Sequence, residues 1–157
     1  YGIHTNNALT LDNSNITIIG NTYSNSYTNY GIYNESGSSH VKGGIIKVEG
    51  RNTYGIYMKN GELTLGVPEE TTSVNYGKDT ADVSITSPLI ESFGTNSGIG
   101  IKKENGVVRY YDGKIIAKHN PLPEIPNYVE YMYEPIEYTD LETGNKYVIL
   151  EWMRTQP

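Results

Sequence analysis

Tyr30-Gly31-Ile32-Tyr33 is a four-residue phrase to which the chain keeps returning. It recurs as Tyr54-Gly55-Ile56-Tyr57, opens the chain as Tyr1-Gly2-Ile3-His4 and fades into Ile99-Gly100-Ile101-Lys102. The residues downstream of each copy recur as well. Gly37, Gly61 and Gly106 lie six residues beyond the phrase's glycine, and Val41, Leu65 and Tyr110 lie ten beyond it. Gly44 and Ile46 match Gly113 and Ile115 at an offset of 69, which also separates Gly31 from Gly100. Agreement at so many anchors marks an internal repeat.

Within each copy the apolar residues alternate with polar ones, as in Leu9-Thr10-Leu11, Ile16-Thr17-Ile18 and Glu62-Leu63-Thr64-Leu65. That is the pattern of half-buried strands. No 3.6-residue apolar period is sustained, and the density of Gly, Asn and β-branched residues disfavours helix. Short strands, two or three corners per copy and a spacing of 24 residues between Tyr30 and Tyr54 predict a solenoid. Each copy would form one coil, stacked about 4.8 Å from the next so that backbones pair in parallel and like residues pile into columns. The expected fold is all-β: a right-handed parallel β-helix (solenoid) of about four coils with a C-terminal β-hairpin cap. Right-handedness follows from the chirality of parallel crossovers. Coils are expected to start near residues 1, 30, 54 and 98, with an insertion at about 66–82 and strand character resuming at Val83-Ser84-Ile85 and Leu89-Ile90. Ile3, Ile32, Ile56 and Ile101 would form one inward column, and Ile16, Ile46 and Ile115 another. A glycine at a fixed point in each copy suits a corner needing positive φ.

From Pro121 the texture changes, and residues 119–157 read as a capping segment. Pro121, Pro123 and Pro126 end the repeat, and residues 129–138 pair with 146–152 as a hairpin turned at Glu142-Thr143-Gly144-Asn145. It would fold over the last coil with Ile136, Val148 and Leu150 inward and Trp152 buried.

Composition excludes several classes. The chain has 157 residues, 15 of them Tyr and 17 Gly, with a net charge of −6. Without a basic stripe, a nucleic-acid partner is not expected. No apolar run approaches a membrane span, and the absence of cysteine rules out disulfides and thiolate metal sites. The chain opens inside a repeat and without Met, so it reads as a piece of a longer protein. No exposed apolar seam of the kind a trimeric tailspike needs is visible, and a monomer is expected.

The phrase YGIYN, its Gly-rich return and the closing YDGKIIA resemble the right-handed parallel β-helix repeat regions of large, adhesin-like surface proteins of Gram-positive bacteria. The resemblance covers about residues 1–118. It implies an extracellular module at the bacterial cell surface, working as spacer and binding surface for a glycan or protein. It supplies no catalytic residue.

Candidate sites are few. Tyr33 and Tyr57, with His4 and Lys102 in register, alternate with the inward Ile and so point outward as a partial aromatic ladder. Such a ladder can stack against sugar rings, or simply fill a β surface. Glu69, Glu70, Asp79 and Asp82 could supply oxygen ligands for Ca²⁺, but lack the Asp-x-Asp-x-Asp spacing and read more simply as a solvated loop. Asp112 and Glu104 are the carboxylates to check for glycoside chemistry, and Asp112 before Gly113 also reads as a turn residue. His4, His40 and His119 share no ligand spacing. No nucleophile motif or phosphate loop is present. The expectation is therefore a non-catalytic structural and adhesive module with no cofactor and no metal. A carbohydrate-active lyase or hydrolase fragment is the alternative.

Overall fold

The computed structural model describes residues 1–68 and 87–153. The acidic residues Glu69, Glu70, Asp79 and Asp82 and the strand expected at Val83-Ser84-Ile85 lie outside the described residues.

The alternating runs form strands. In chain order these are β1 (Ile3–Thr5), β2 (Leu9–Leu11), β3 (Ser14–Ile19), β4 (Thr28–Asn34), β5 (Ser38–Val41), β6 (Gly44–Met58) and β7 (Glu62–Leu65). They continue as β8 (Leu89–Lys103), β9 (Val107–Tyr110), β10 (Lys114–Ala117), β11 (Tyr128–Val129), β12 (Tyr133–Thr139) and β13 (Lys146–Trp152). One sheet has eight strands in the order β1-β4-β6-β8-β10-β13-β12, with β3 also paired to β6; the other has five, in the order β11-β9-β7-β5-β2.

This overturns the expected right-handed parallel β-helix of four coils with a separate cap. The strands fall instead into an eight-stranded sheet of mixed direction and a five-stranded parallel sheet. Two local causes account for the difference. The first is continuity: β6 and β8 each run for fifteen residues, straight through the places near 54 and 98 where new coils are expected to start. A register shift between Gly50 and Asn52, with Gly50 at φ +152°, absorbs the irregularity without ending β6. The second is the tail. Its hairpin does not lie across the end of the stack; β13 pairs antiparallel with β10, and β12 with β13, so the hairpin extends the sheet. Val148 and Leu150 are buried, but Trp152, expected inside, is 56% exposed and rests edge-on against Tyr133.

The pairing register still follows the repeat. Ile3 pairs with Ile32, Ile32 with Ile56 and Ile56 with Ile101, all in parallel. A second column runs Ile16, Ile46, Ile90 and Ile115. Against these pack Leu11, Val41, Leu63, Leu65 and Val108 of the five-stranded sheet, in one cluster. Burying each such side chain contributes roughly 1.5–3 kcal/mol. Polar groups inside this core are satisfied. The Asn34 amide donates to the Asn60 carbonyl at 2.7 Å and accepts from the Ser39 hydroxyl at 2.6 Å. The Thr53 and Ser92 hydroxyls share a bond of 2.7 Å.

The repeated glycines do two different jobs. Gly37, Gly61 and Gly106 have φ of +83°, +89° and +98°, turns that an L side chain resists. The phrase glycines Gly2, Gly31, Gly55 and Gly100 have no positive φ; what they lack is room. A Cβ on Gly55 would sit 2.5 Å from Ile90 Cγ2 and 2.8 Å from the Gly100 carbonyl oxygen, and one on Gly31 would lie 2.5 Å from the Gly55 oxygen. Overpacking of this kind costs about 1–3 kcal/mol. Gly55→Ala should therefore lower the urea midpoint by a corresponding amount with little change in slope; an unchanged midpoint would show slack in the column.

Candidate functional site

The phrase tyrosines gather on the outer side of the large sheet. Because β1, β4 and β6 pair in register, Tyr1, Tyr30 and Tyr54 form one column of rings, with centroid spacings of 5.1 and 5.4 Å and near-parallel planes. His4, Tyr33 and Tyr57 form a second column beside it; the Tyr33 and Tyr57 rings are 5.2 Å apart and 2° from parallel. Between columns the rings meet edge to face: Tyr30 and Tyr33 at 85°, Tyr54 and Tyr57 at 83°. The result is a herringbone of six rings in which each of the five tyrosines contacts neighbours by both stacked and perpendicular geometry, the two arrangements aromatic quadrupoles favour, and His4 meets Tyr33 edge to face at 85°. The four central tyrosines are half-buried and Tyr1 is 64% exposed.

Sequence alternation identifies Tyr33 and Tyr57 but misses Tyr1, Tyr30 and Tyr54. Counting back from inward Ile32 sends Gly31 outward and Tyr30 inward. In the structure Gly31 and Ile32 are both buried, and the place of a Cβ on Gly31 is next to Ile46 and Val48 of the core. The strand changes side at the glycine, and both tyrosines emerge on the same face. A usable signal was present: the tyrosine at the first place of the phrase recurs in the same frame as the fourth.

Charged groups close the array at one end. Ile99 and Lys102 are the partners of Tyr54 and Tyr57 on β8, so the aromatic columns stop there. The Tyr57 hydroxyl donates to the Glu104 carboxylate, and the Lys102 ammonium to Glu124. At the other end His4 Nε2 lies 3.1 Å from Glu35. Burial, followed by the Glu104 hydrogen bond, pushes the Tyr57 phenol well above the ordinary tyrosine value. Tyr30 is raised by burial and then by its tyrosine neighbours, Tyr54 first.

The remaining sequence candidates do not converge. Asp112 is buried, accepting from the Gly113 amide at 2.9 Å and from the Ser87 hydroxyl, while Glu104 serves Tyr57. The two carboxylates thus act in separate networks. His40 Nε2 contacts the Gly66 carbonyl at 2.7 Å, and His119 Nδ1 accepts from the Gly98 amide at 2.9 Å. Among the described residues no three His, Asp or Glu groups are placed to hold a metal ion, and no helix is long and apolar enough to cross a membrane.

The chain matches no family model, no curated protein and no solved structure. The resemblance to bacterial surface repeats therefore rests on its residues alone, and neither fold nor comparison supports the expected extracellular, cell-surface location.

The raised tyrosines make an alkaline prediction. A phenol whose pKa is higher in the folded state than in the unfolded one stabilises fully below the unfolded value near 10.0. That contribution is lost as pH rises through the folded pKa, because the unfolded chain releases its proton first. The melting temperature should therefore fall above about pH 10, and less steeply in Tyr57→Phe. An identical alkaline fall in the variant would show that Tyr57 contributes nothing to it.

Proposed function

We propose that this chain is a non-catalytic binding module whose tyrosine herringbone holds an extended glycan. The observation that carries the reading is the array itself: six aromatic rings on one solvent-facing strip, in two columns at spacings near 5 Å. Tyrosine offers an apolar body and a polar tip. A polyhydroxylated chain presents the complement, C–H faces edged by hydroxyls. A repeated strip matches a repeated ligand, because each sugar residue meets the same pair of groups and weak contacts add along the length. The charge of −6 weighs against a polyanionic partner. The separate engagement of Asp112 and Glu104 supports binding without cleavage, since glycoside hydrolysis needs two acids across one bond.

Stacking also stabilises the fold, by about 0.5–1.5 kcal/mol per aromatic pair, so the test must separate binding from stability. Native-gel retardation of the intact chain across a panel of soluble polysaccharides, at a temperature well below unfolding, should reveal at least one retarding glycan. Tyr33→Ala with Tyr57→Ala should abolish that retardation while the chain stays folded by circular dichroism. No retardation by any glycan, or undiminished retardation in the folded double variant, would overturn the reading.

A further inference from the structure

The hairpin creates a second concave surface, away from the tyrosine strip. Between the outer face of β8 and β10 and the turn 140–145 lies a cleft of about 530 Å³, within the range of small-ligand sites. Phe93, Ile116 and Tyr147 give it apolar surface, Lys114 stands at its side, and Thr139 and Asn145 bring polar groups to the rim.

The wall is preformed. The Asp140 amide donates to the Asn145 carbonyl at 2.8 Å, and the Gly144 amide to the Asp140 carbonyl at 2.8 Å. Asp140 Oδ1 accepts from the amides of Glu142 and Thr143 at 2.9 and 3.3 Å, so that oxygen is spent within the turn. Gly144, at φ +76°, permits the tight return.

Lys114 decides the ligand class. Its ammonium lies 4.4 Å over the Tyr147 ring, a cation–π contact that fixes the charge in place without neutralising it. Among the described residues it makes no ion pair, whereas Lys47 is paired with Glu49 at 3.2 Å. Glu91, one strand away, is half-buried and outside ion-pair distance of Lys114. Burial raises the pKa of that carboxyl, Glu49 acts in the same sense, and Lys47 and Lys114 oppose them. At that separation Glu91 does not pair with Lys114. Asp140 and Glu142 both line the cleft, and their carboxylates disfavour a ligand with several negative charges.

From an apolar floor, a preformed polar rim and one ammonium without a carboxylate partner, we infer that this cleft binds a small monoanion with an apolar body, of the aryl- or alkyl-carboxylate class. The carboxylate would meet Lys114, and the hydrocarbon part would cover Phe93 and Ile116. Hydrogen bonds to a charged group contribute roughly 1.5–3 kcal/mol, so removing the ammonium should weaken binding about tenfold or more.

The test is an amide-shift titration of the intact chain by NMR with phenylacetate, using acetate and 2-phenylethanol as half-ligands. Phenylacetate should give saturable shifts at Phe93, Lys114, Tyr147 and the turn, with neither half-ligand saturating in the same range. Lys114→Met should weaken it at least about tenfold, Lys114→Arg should retain it, and Phe93→Ala should weaken it, all with the chain folded by circular dichroism at the titration temperature. The double Tyr33→Ala, Tyr57→Ala variant should bind phenylacetate normally, which keeps this site separate from the tyrosine strip. Equal binding of 2-phenylethanol, equal binding of acetate, undiminished binding by Lys114→Met, or no saturable shift would each overturn the inference.

Discussion

The architecture depends on close approach of backbones at the phrase glycine. Gly2, Gly31, Gly55 and Gly100 lie in one column, and the space a Cβ would need is taken each time by the next carbonyl oxygen: that of Gly31, Gly55, Gly100 and finally Pro121, at 2.7, 2.5, 2.8 and 2.2 Å. The same imagined atoms would collide with Ile46, Ile90 and Ile115, at 2.5, 2.5 and 2.4 Å, and crowd Ile16 at 3.1 Å. Only a residue without a side chain lets the second Ile column reach this part of the backbone. The glycine is thus where the strand passes from outward Tyr to inward Ile without one polar spacer between them. The tyrosine pairs Tyr30 with Tyr33 and Tyr54 with Tyr57 on the surface, and therefore the herringbone, depend on that one missing atom.

Register was legible in the sequence because it is a matter of counting. Matched offsets for Val41, Leu65 and Tyr110 translate directly into strand partners, whereas Ile46 and Ile115, matched two copies apart, share a column with Ile90 between them. Sheet continuity was not legible. Glu49-Gly50-Arg51-Asn52 has the composition of a turn, yet Gly50 carries only a bulge, because Thr53 and Ser92 bond to each other inside and hold β6 against β8. The tail was legible as a hairpin but not in its docking. The choice between lying across the stack and joining its edge depends on which backbone groups of β10 remain free, and composition does not record that. Trp152 shows the same limit. Its alternation with Val148 and Leu150 predicts an inward ring, but it sits opposite Tyr133 at the open end of the hairpin, past the reach of the core.

Stacking in register does not demand identical residues, and the exceptions show what the interior tolerates. Thr5, Asn34, Met58 and Lys103 occupy one column of partners. Asn34 and Met58 are both fully buried, although one is polar and the other apolar. Asn34 is accommodated because the turn 34–37 and Ser39 supply its donors and acceptors; Met58 is accommodated because a flexible thioether fills irregular space. An unsatisfied amide at the same place would cost about 1–3 kcal/mol. The column therefore changes both chemistry and size from copy to copy, a freedom that the glycine column lacks.

The change from parallel to antiparallel pairing at β10 is what gives the molecule its second concave surface. On one side β10 takes β8 in parallel; on the other it takes β13 in antiparallel. A further parallel strand would have required a long crossover. An antiparallel strand can be joined to its neighbour by a short turn, and here that turn closes β12 to β13 beside the end of β10. The same pairing sets Tyr147 opposite Ile116 and brings its ring under Lys114. Lys114 is thereby held by an aromatic face, where a carboxylate would have cancelled its charge. The repeat thus builds one aromatic surface from parallel register, and its termination builds a second, charged one from antiparallel register. Because β10 contributes to the cleft but not to the tyrosine columns, the two surfaces can be altered independently.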